Sequence, residues 1–211
     1  MSSAKMTNKQ YSIIGLLTPV VFWMTYFIMA NQRPEYSFLT KAISELGSID
    51  APNKWFWNVL GYIIPGILIA IFGYGLYKNL APENSSKIPL YGILLSGLFM
   101  SFSGVFPGDF ENKQSTTMLL HMIGSFGSYI FFLLGAFTYP KLMKKTEYWT
   151  KTIKPTLIFT WLTILFGGWG FIFPNTPAVG QRIVFALYFL WIIFTSYKLY
   201  NRPKQIIKTN R

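Results

Sequence analysis

Cysteine is absent from this chain of 211 residues, histidine occurs once, and only seven acidic residues stand against nineteen lysines and arginines. Without cysteine there is no disulfide framework, no thiolate nucleophile and no zinc site of the cysteine type. A single histidine excludes a two- or three-histidine centre within one chain, so no metal and no cofactor is expected. Nor does the chain contain a phosphate loop, a dinucleotide fingerprint or a paired-histidine metalloprotease helix. The basic excess has no basic helix or recognition motif behind it, which argues against nucleic acid as a partner.

What the chain does contain is apolar length. Six segments, residues 11–30, 55–78, 89–106, 116–139, 155–173 and 180–199, each approach the ~20 residues of helix needed to cross a hydrocarbon core. The expected fold is all-α, a single domain over residues 1–211 with six transmembrane helices and a short interfacial helix after the first span. No internal repeat is evident. The first segment follows Lys5 and Lys9 as a signal peptide would, yet it is too long for a signal core and lacks a small-residue exit near Ala30. It is read as an uncleaved anchor.

Charge is distributed by side. Fourteen basic residues fall in the two tails and in the gaps after the second and fourth segments. The alternate gaps hold five, Arg33, Lys41, Lys54, Lys113 and Arg182, together with five of the seven acids. The positive-inside rule therefore places both termini in the cytoplasm of a multi-pass cell-membrane protein. Attraction to anionic inner-leaflet lipid accounts for the basic balance. Asn84-Ser85-Ser86 matches a glycosylation acceptor but falls on the cytoplasmic side, where it is a chance match.

The gap from Asn31 to Lys54 is too polar to span and too apolar for a free loop. Phe38, Leu39, Ala42, Ile43 and Leu46 recur at three- and four-residue spacing, which predicts a short amphipathic helix on the outer interface, started by Ser37 and ended by Gly47. Its polar face would carry Lys41, Ser44 and Glu45, and Trp55, Phe56 and Trp57 would anchor the next span. Other polar residues fall at the same depth. Asp109 follows the Pro107-Gly108 turn, Gln181 and Arg182 open the sixth span, and Asn58 begins the second. His121 shares one face of the fourth span with Thr117, Ser125 and Ser128, and a polar face of that kind is expected to point into the bundle.

Each of these has a structural reading as well: His121 as an interhelical hydrogen-bond donor, Asp109 as a turn cap, Arg182 as a side chain reaching for headgroups. Ionisable residues at membrane depth are nonetheless functional candidates because of their cost there. The stripe Gly92, Ser96, Gly97, Ser101 and Gly104 is read as helix packing. Gly167-Gly168-Trp169-Gly170 is read the same way, although its three glycines leave room for a lipid chain. Pro65-Gly66 is expected to kink the second span.

Arg33-Pro34 with Tyr36-Ser37, the run Ile43-Ser44-Glu45-Leu46-Gly47, Pro52, Phe106-Pro107 with Asp109, His121, and Gly180 with Gln181-Arg182 together resemble a bacterial and archaeal membrane family, that of domain of unknown function 998. Phe110 stands where that pattern more often has proline. The Ile-Ser-acid-x-Gly arrangement is more distantly similar to the six-span Frag, DRAM and Sfk proteins, which are linked to lipid remodelling. The first family brings no activity with it. It implies that Ser44, Glu45, Asp109, His121 and Arg182 belong to one pattern.

The expectation is a polar pocket open to the outer leaflet that binds or modifies a lipid headgroup by hydrolysis or transfer. His121, Asp109, Glu45 and Ser44 would be its catalytic groups, and Arg182, Gln181, Arg33 and Asn58 its substrate-binding groups. Glu45 or Asp109 would pair with Arg182. Membrane lipids are the expected partners, and the sequence does not set the oligomeric state. A transporter using the same ionisable groups, or a scaffold in which they do not converge, stays open.

Overall fold

The computed structural model describes residues 6–203, so Lys5, Lys204, Lys208 and Arg211, all part of the basic count above, lie outside the described residues. Among the described residues every regular element is helical. Helix α1 (Asn8–Asn31) starts at a capping box, in which Gln10 N donates to Thr7 Oγ1 and Thr7 N to Gln10 Oε1. The second span is α2 (Lys54–Trp57), a π-turn (Asn58–Ile63) and α3 (Ile64–Leu80). Then come α4 (Ile88–Val105), α5 (Thr116–Met143), α6 (Glu147–Gly167), the single turn α7 (Trp169–Ile172) and α8 (Pro177–Tyr200). Six helical stretches are long and apolar enough to cross a membrane, which makes this a multi-pass membrane protein.

The helices outrun the apolar segments that announce them. Helix α6 begins at Glu147, a full two turns before Pro155, and α5 continues to Met143 beyond Tyr139. Apolarity marks the hydrocarbon slab, whereas backbone hydrogen bonding continues into the polar flanks, where Lys141, Lys151 and Lys154 can reach water. In the second span the irregularity lies one turn before the expected kink. Pro65 brings no N–H to the ladder, the turn ahead of it widens, and Ser101 Oγ donates to the Ile63 carbonyl at 2.9 Å.

Neighbours in sequence are neighbours in space. α1 packs on α3, α3 on α4, α4 on α5, α5 on α6, α6 on α8, and α8 closes the ring on α1. The α4 stripe is packing, as its spacing suggests: a Cβ on Gly92 would run into the Gly135 backbone, and one on Gly97 into the Gly66 carbonyl. Trp57, Trp191, Phe22, Phe132 and Phe189, all but inaccessible, fill the interior.

The ring is tight at the end where α1 starts and α8 finishes, where Tyr148 donates to the Lys198 carbonyl and Arg202 to that of Asn79. At the opposite, distal end α5 and α6 part. Phe137 meets Trp161 with ring centres 5.1 Å apart, and Tyr129 donates to Thr163 Oγ1 at 3.3 Å. Beyond that contact a cavity opens between the two helices.

Candidate functional site

The segment between α1 and α2 forms a cap over the distal end. Its helical part is shorter than the predicted amphipathic helix, a single 3-10 turn at Ile43–Gly47, and it is inserted in the bundle. Ile43 and Leu46 are wholly buried, while Phe38 and Leu39 stay exposed. Ser37 does start a turn, accepting from Leu39 N and Thr40 N, but Ala42 is extended at φ −62 and ψ 151 and breaks any continuous helix. Gly47 is required by proximity, because a Cβ there would overlap Trp57 and Asn58.

Four of the expected ligand-binding side chains hold this cap by its backbone. Arg33 Nη1 donates to the Glu45 carbonyl at 2.8 Å, and Gln181 Oε1 accepts from Ile43 N at 2.8 Å. Asn58 Nδ2 donates to the Gly47 carbonyl at 2.9 Å. Arg182 makes the largest set: Nε to Tyr26 OH at 2.7 Å, Nη2 to Tyr36 OH at 2.7 Å and to the Lys41 carbonyl at 2.9 Å, and Nη1 to the Ala178 carbonyl at 2.8 Å. The rings of Tyr26, Tyr36 and Phe38 stand within 6 Å of its guanidinium carbon, at 5.6, 5.6 and 5.9 Å.

The expected ion pair of Arg182 with Glu45 or Asp109 is not formed. Glu45 Oε2 pairs with Lys41 Nζ at 3.1 Å while its Oε1 accepts from Ala42 N, and Asp109 Oδ1 accepts from Asn112 N at 2.9 Å. Neutral oxygens and aromatic faces take the carboxylate's place, which a fork of five donors can use without a counter-ion. Around the cap, burial holds the Tyr36 phenol above the ordinary tyrosine range against the opposing pull of Arg182. Arg33 lowers the exposed Glu35 carboxyl, and a hydrogen bond from Ser48 lowers Asp50.

His121 serves a different element. Its Nδ1 lies 3.0 Å from the Ser103 carbonyl and 2.9 Å from that of Phe106, two groups at the end of α4 that the helix itself leaves unpaired. Carbonyls only accept, so Nδ1 carries a proton. Ser103 Oγ is 3.2 Å from Nδ1 and 2.9 Å from Ser125 Oγ. Ser44 is buried in the cap, and Asp109 stays with its own turn. Ser44, Glu45, Asp109, His121 and Arg182 thus share the distal end without lining one pocket.

Two recesses do occur there. The larger, about 490 Å³, lies between α4 and α5 on one side and α6 to α8 on the other. Its wall is mainly aromatic and aliphatic, and its polar lining residues are Ser103, Ser125, Ser128, Tyr62, Tyr129, Tyr188, Trp169 and Gln181. Tyr188 OH is 2.9 Å from Ser96 Oγ, which lies 3.5 Å from Ser128 Oγ. Phe126 and Phe171, 60% and 94% exposed, are the lining residues most open to the surroundings. The smaller, about 350 Å³, is a surface cleft where Arg33, Lys41 and Lys113 alternate with Glu45, Asp50 and Glu111.

Of the residues singled out by sequence, Gln181 borders the large cavity, and Arg33 and Glu45 border the cleft. Gly167, Trp169 and Gly170, where the glycines left space, do line the cavity, as do Ser125 and Ser128 from the His121 face. Tyr188, Ser103 and Tyr62 were not anticipated. The spacing of Gly180, Val184 and Tyr188 by four on α8 was the available sign. No group of three or more metal-ligating side chains occurs among the described residues.

Residues 16–197 match the family model described as "Protein of unknown function (DUF998)", and the chain belongs to that family. Neither the curated proteins nor the solved structures contain a match to it.

Proposed function

We propose that this membrane protein binds a lipid in the cavity between α5 and α8, with the capped end facing the outer side of the cell membrane. The observation that carries the reading is the cavity itself: about 490 Å³, within the ~300–1,000 Å³ of small-molecule sites, mostly apolar, and lined in part by the exposed Phe126 of the membrane-spanning α5. The exposed Phe126 and Phe171 are side chains a lipid tail can pass. The geometry favours binding over hydrolysis or transfer. Arg182, Gln181, Arg33 and Asn58 already serve the cap backbone, and His121 has no hydrogen bond to a carboxylate among the described residues.

The orientation rests on charge, with the described lysines of the terminal end outnumbering the basic residues of the distal end. Reporter fusions near Asp50 should read external and those after Lys145 cytoplasmic. An external reading at Lys145 would turn the cavity toward the inner leaflet.

Gly167 offers the direct test of binding. Its Cβ would meet nothing closer than Tyr129 OH at 3.7 Å, so Gly167→Leu puts a side chain into the cavity without disturbing the backbone. Protein purified in mild detergent should carry co-purifying lipid by mass spectrometry. Gly167→Leu and Val184→Phe, both eluting as folded protein, should carry several-fold less. Equal lipid on all three would refute the site.

A further inference from the structure

Building on that cavity, we infer that the lipid it holds has an uncharged, oxygen-bearing head, placed against Ser125 and Tyr188, and that charged phospholipid headgroups are excluded. The lining is the first reason. Although the chain carries nineteen basic and seven acidic residues, none of those among the described residues lines this cavity. The charged groups of the distal end are elsewhere: Arg182 is enclosed by Tyr26, Tyr36 and the cap backbone, Arg33 pairs with Glu35, and Lys41 with Glu45. A phosphate entering here would find hydroxyls but no cation, and an ammonium no carboxylate.

Depth is the second reason. From the start of α5 at Thr116, Ser125 lies about 13 Å and Ser128 about 18 Å along the helix axis at ~1.5 Å per residue, close to the middle of a hydrocarbon core about 30 Å thick. Tyr188 is at a similar depth, about 16 Å from the start of α8. A formal charge carried to that level is strongly disfavoured, whereas a hydroxyl, ester or ring carbonyl that gains a hydrogen bond is not.

The hydrogen-bond direction is the third. His121 Nδ1–H faces the carbonyls of Ser103 and Phe106, and Ser103 Oγ lies 2.9 Å from Ser125 Oγ; where Ser103 gives its proton to Ser125, the Ser125 proton is left for the cavity. In that arrangement the site offers a donor to an acceptor oxygen of the ligand, and in the reverse one it accepts from a ligand hydroxyl. In this arrangement His121 is a positioning residue that orders Ser103 and Ser125 from the end of α4.

Diacylglycerols and isoprenoid quinones share this chemistry, and their separate use as probes distinguishes the two sources. The full chain in detergent micelles would be equilibrated with labelled dioleoylglycerol, menaquinone-4 and dioleoylphosphatidylglycerol, each also measured on Gly167→Leu. We expect binding removed by Gly167→Leu for at least one neutral probe, at least about tenfold tighter than for the phosphatidylglycerol, and weakened about fivefold by Ser125→Ala. Gly167→Leu-sensitive binding in which the phosphatidylglycerol equals or exceeds both neutral lipids would overturn this inference while leaving the cavity as a lipid site. Binding of no probe in a Gly167→Leu-sensitive manner, with Gly167→Leu retaining wild-type co-purifying lipid, would overturn both.

Discussion

The cap and the cavity lie side by side at one end of the molecule, and they use polar groups in opposite ways. In the cap nearly every charged or amide side chain is engaged by backbone or by a neighbour: Arg182 by four oxygens, Gln181 by Ile43 N, Asn58 by the Gly47 carbonyl. In the cavity the hydroxyls of Ser125 and Ser128 have only other hydroxyls as partners and border open space. Arg182 and Asn58 thus bind the cap backbone, while serine hydroxyls and the Gln181 amide border the open volume. A charged group near a membrane is tolerated where its hydrogen bonds are made within the protein, as those of Arg182 are.

Arg182→Met should produce the largest effect if the cap is held as described. It removes the donor to two phenols and to the Lys41 carbonyl, and a loss of about 3 kcal/mol is expected in detergent thermal unfolding. Arg182→Lys should recover little, because an ammonium cannot reproduce the fork that reaches Tyr26, Tyr36 and the Lys41 carbonyl together. Near-wild-type melting of Arg182→Met would erase the contrast with the cavity.

His121 stands on the border between the two regions. His121→Leu should cost about 2 kcal/mol by stranding the Ser103 and Phe106 carbonyls, and His121→Gln, which keeps a donor, should regain most of that. If glutamine is as damaging as leucine, the cap of α4 is not the role of this ring.

On the cavity side the sign reverses. Gly167→Leu adds a better helix former and fills empty space, so folding should gain up to about 1 kcal/mol while lipid is lost. Destabilisation would mean that the space is needed closed rather than filled.

The smallest effect is alkaline. A phenol whose folded pKa is raised stabilises the fold fully below its unfolded value, near 10, and loses that contribution as pH rises further. Between about pH 9 and about pH 11 the melting temperature of Tyr36→Phe should fall less steeply than that of the wild type. Parallel slopes would remove Tyr36 from the set of groups whose burial the cap maintains.

The six spans, their order and the packing role of the α4 glycines are set by composition and spacing: long apolar runs have no alternative to helix in hydrocarbon, and Gly92 and Gly97 permit only close approach. The location of polar residues at one end is likewise a matter of position along each span. Which of them meet is not, because helix rotation and the fold of the 32–53 segment depend on how Ile43 and Leu46 pack between helices distant in sequence. Hence the sequence placed Arg182, Glu45 and Asp109 at one depth, but only the tertiary structure decided that Arg182 takes tyrosines and carbonyls instead of an acid. It also decided that the open space lies beside Ser125 and Gly167, where α5 and α6 part.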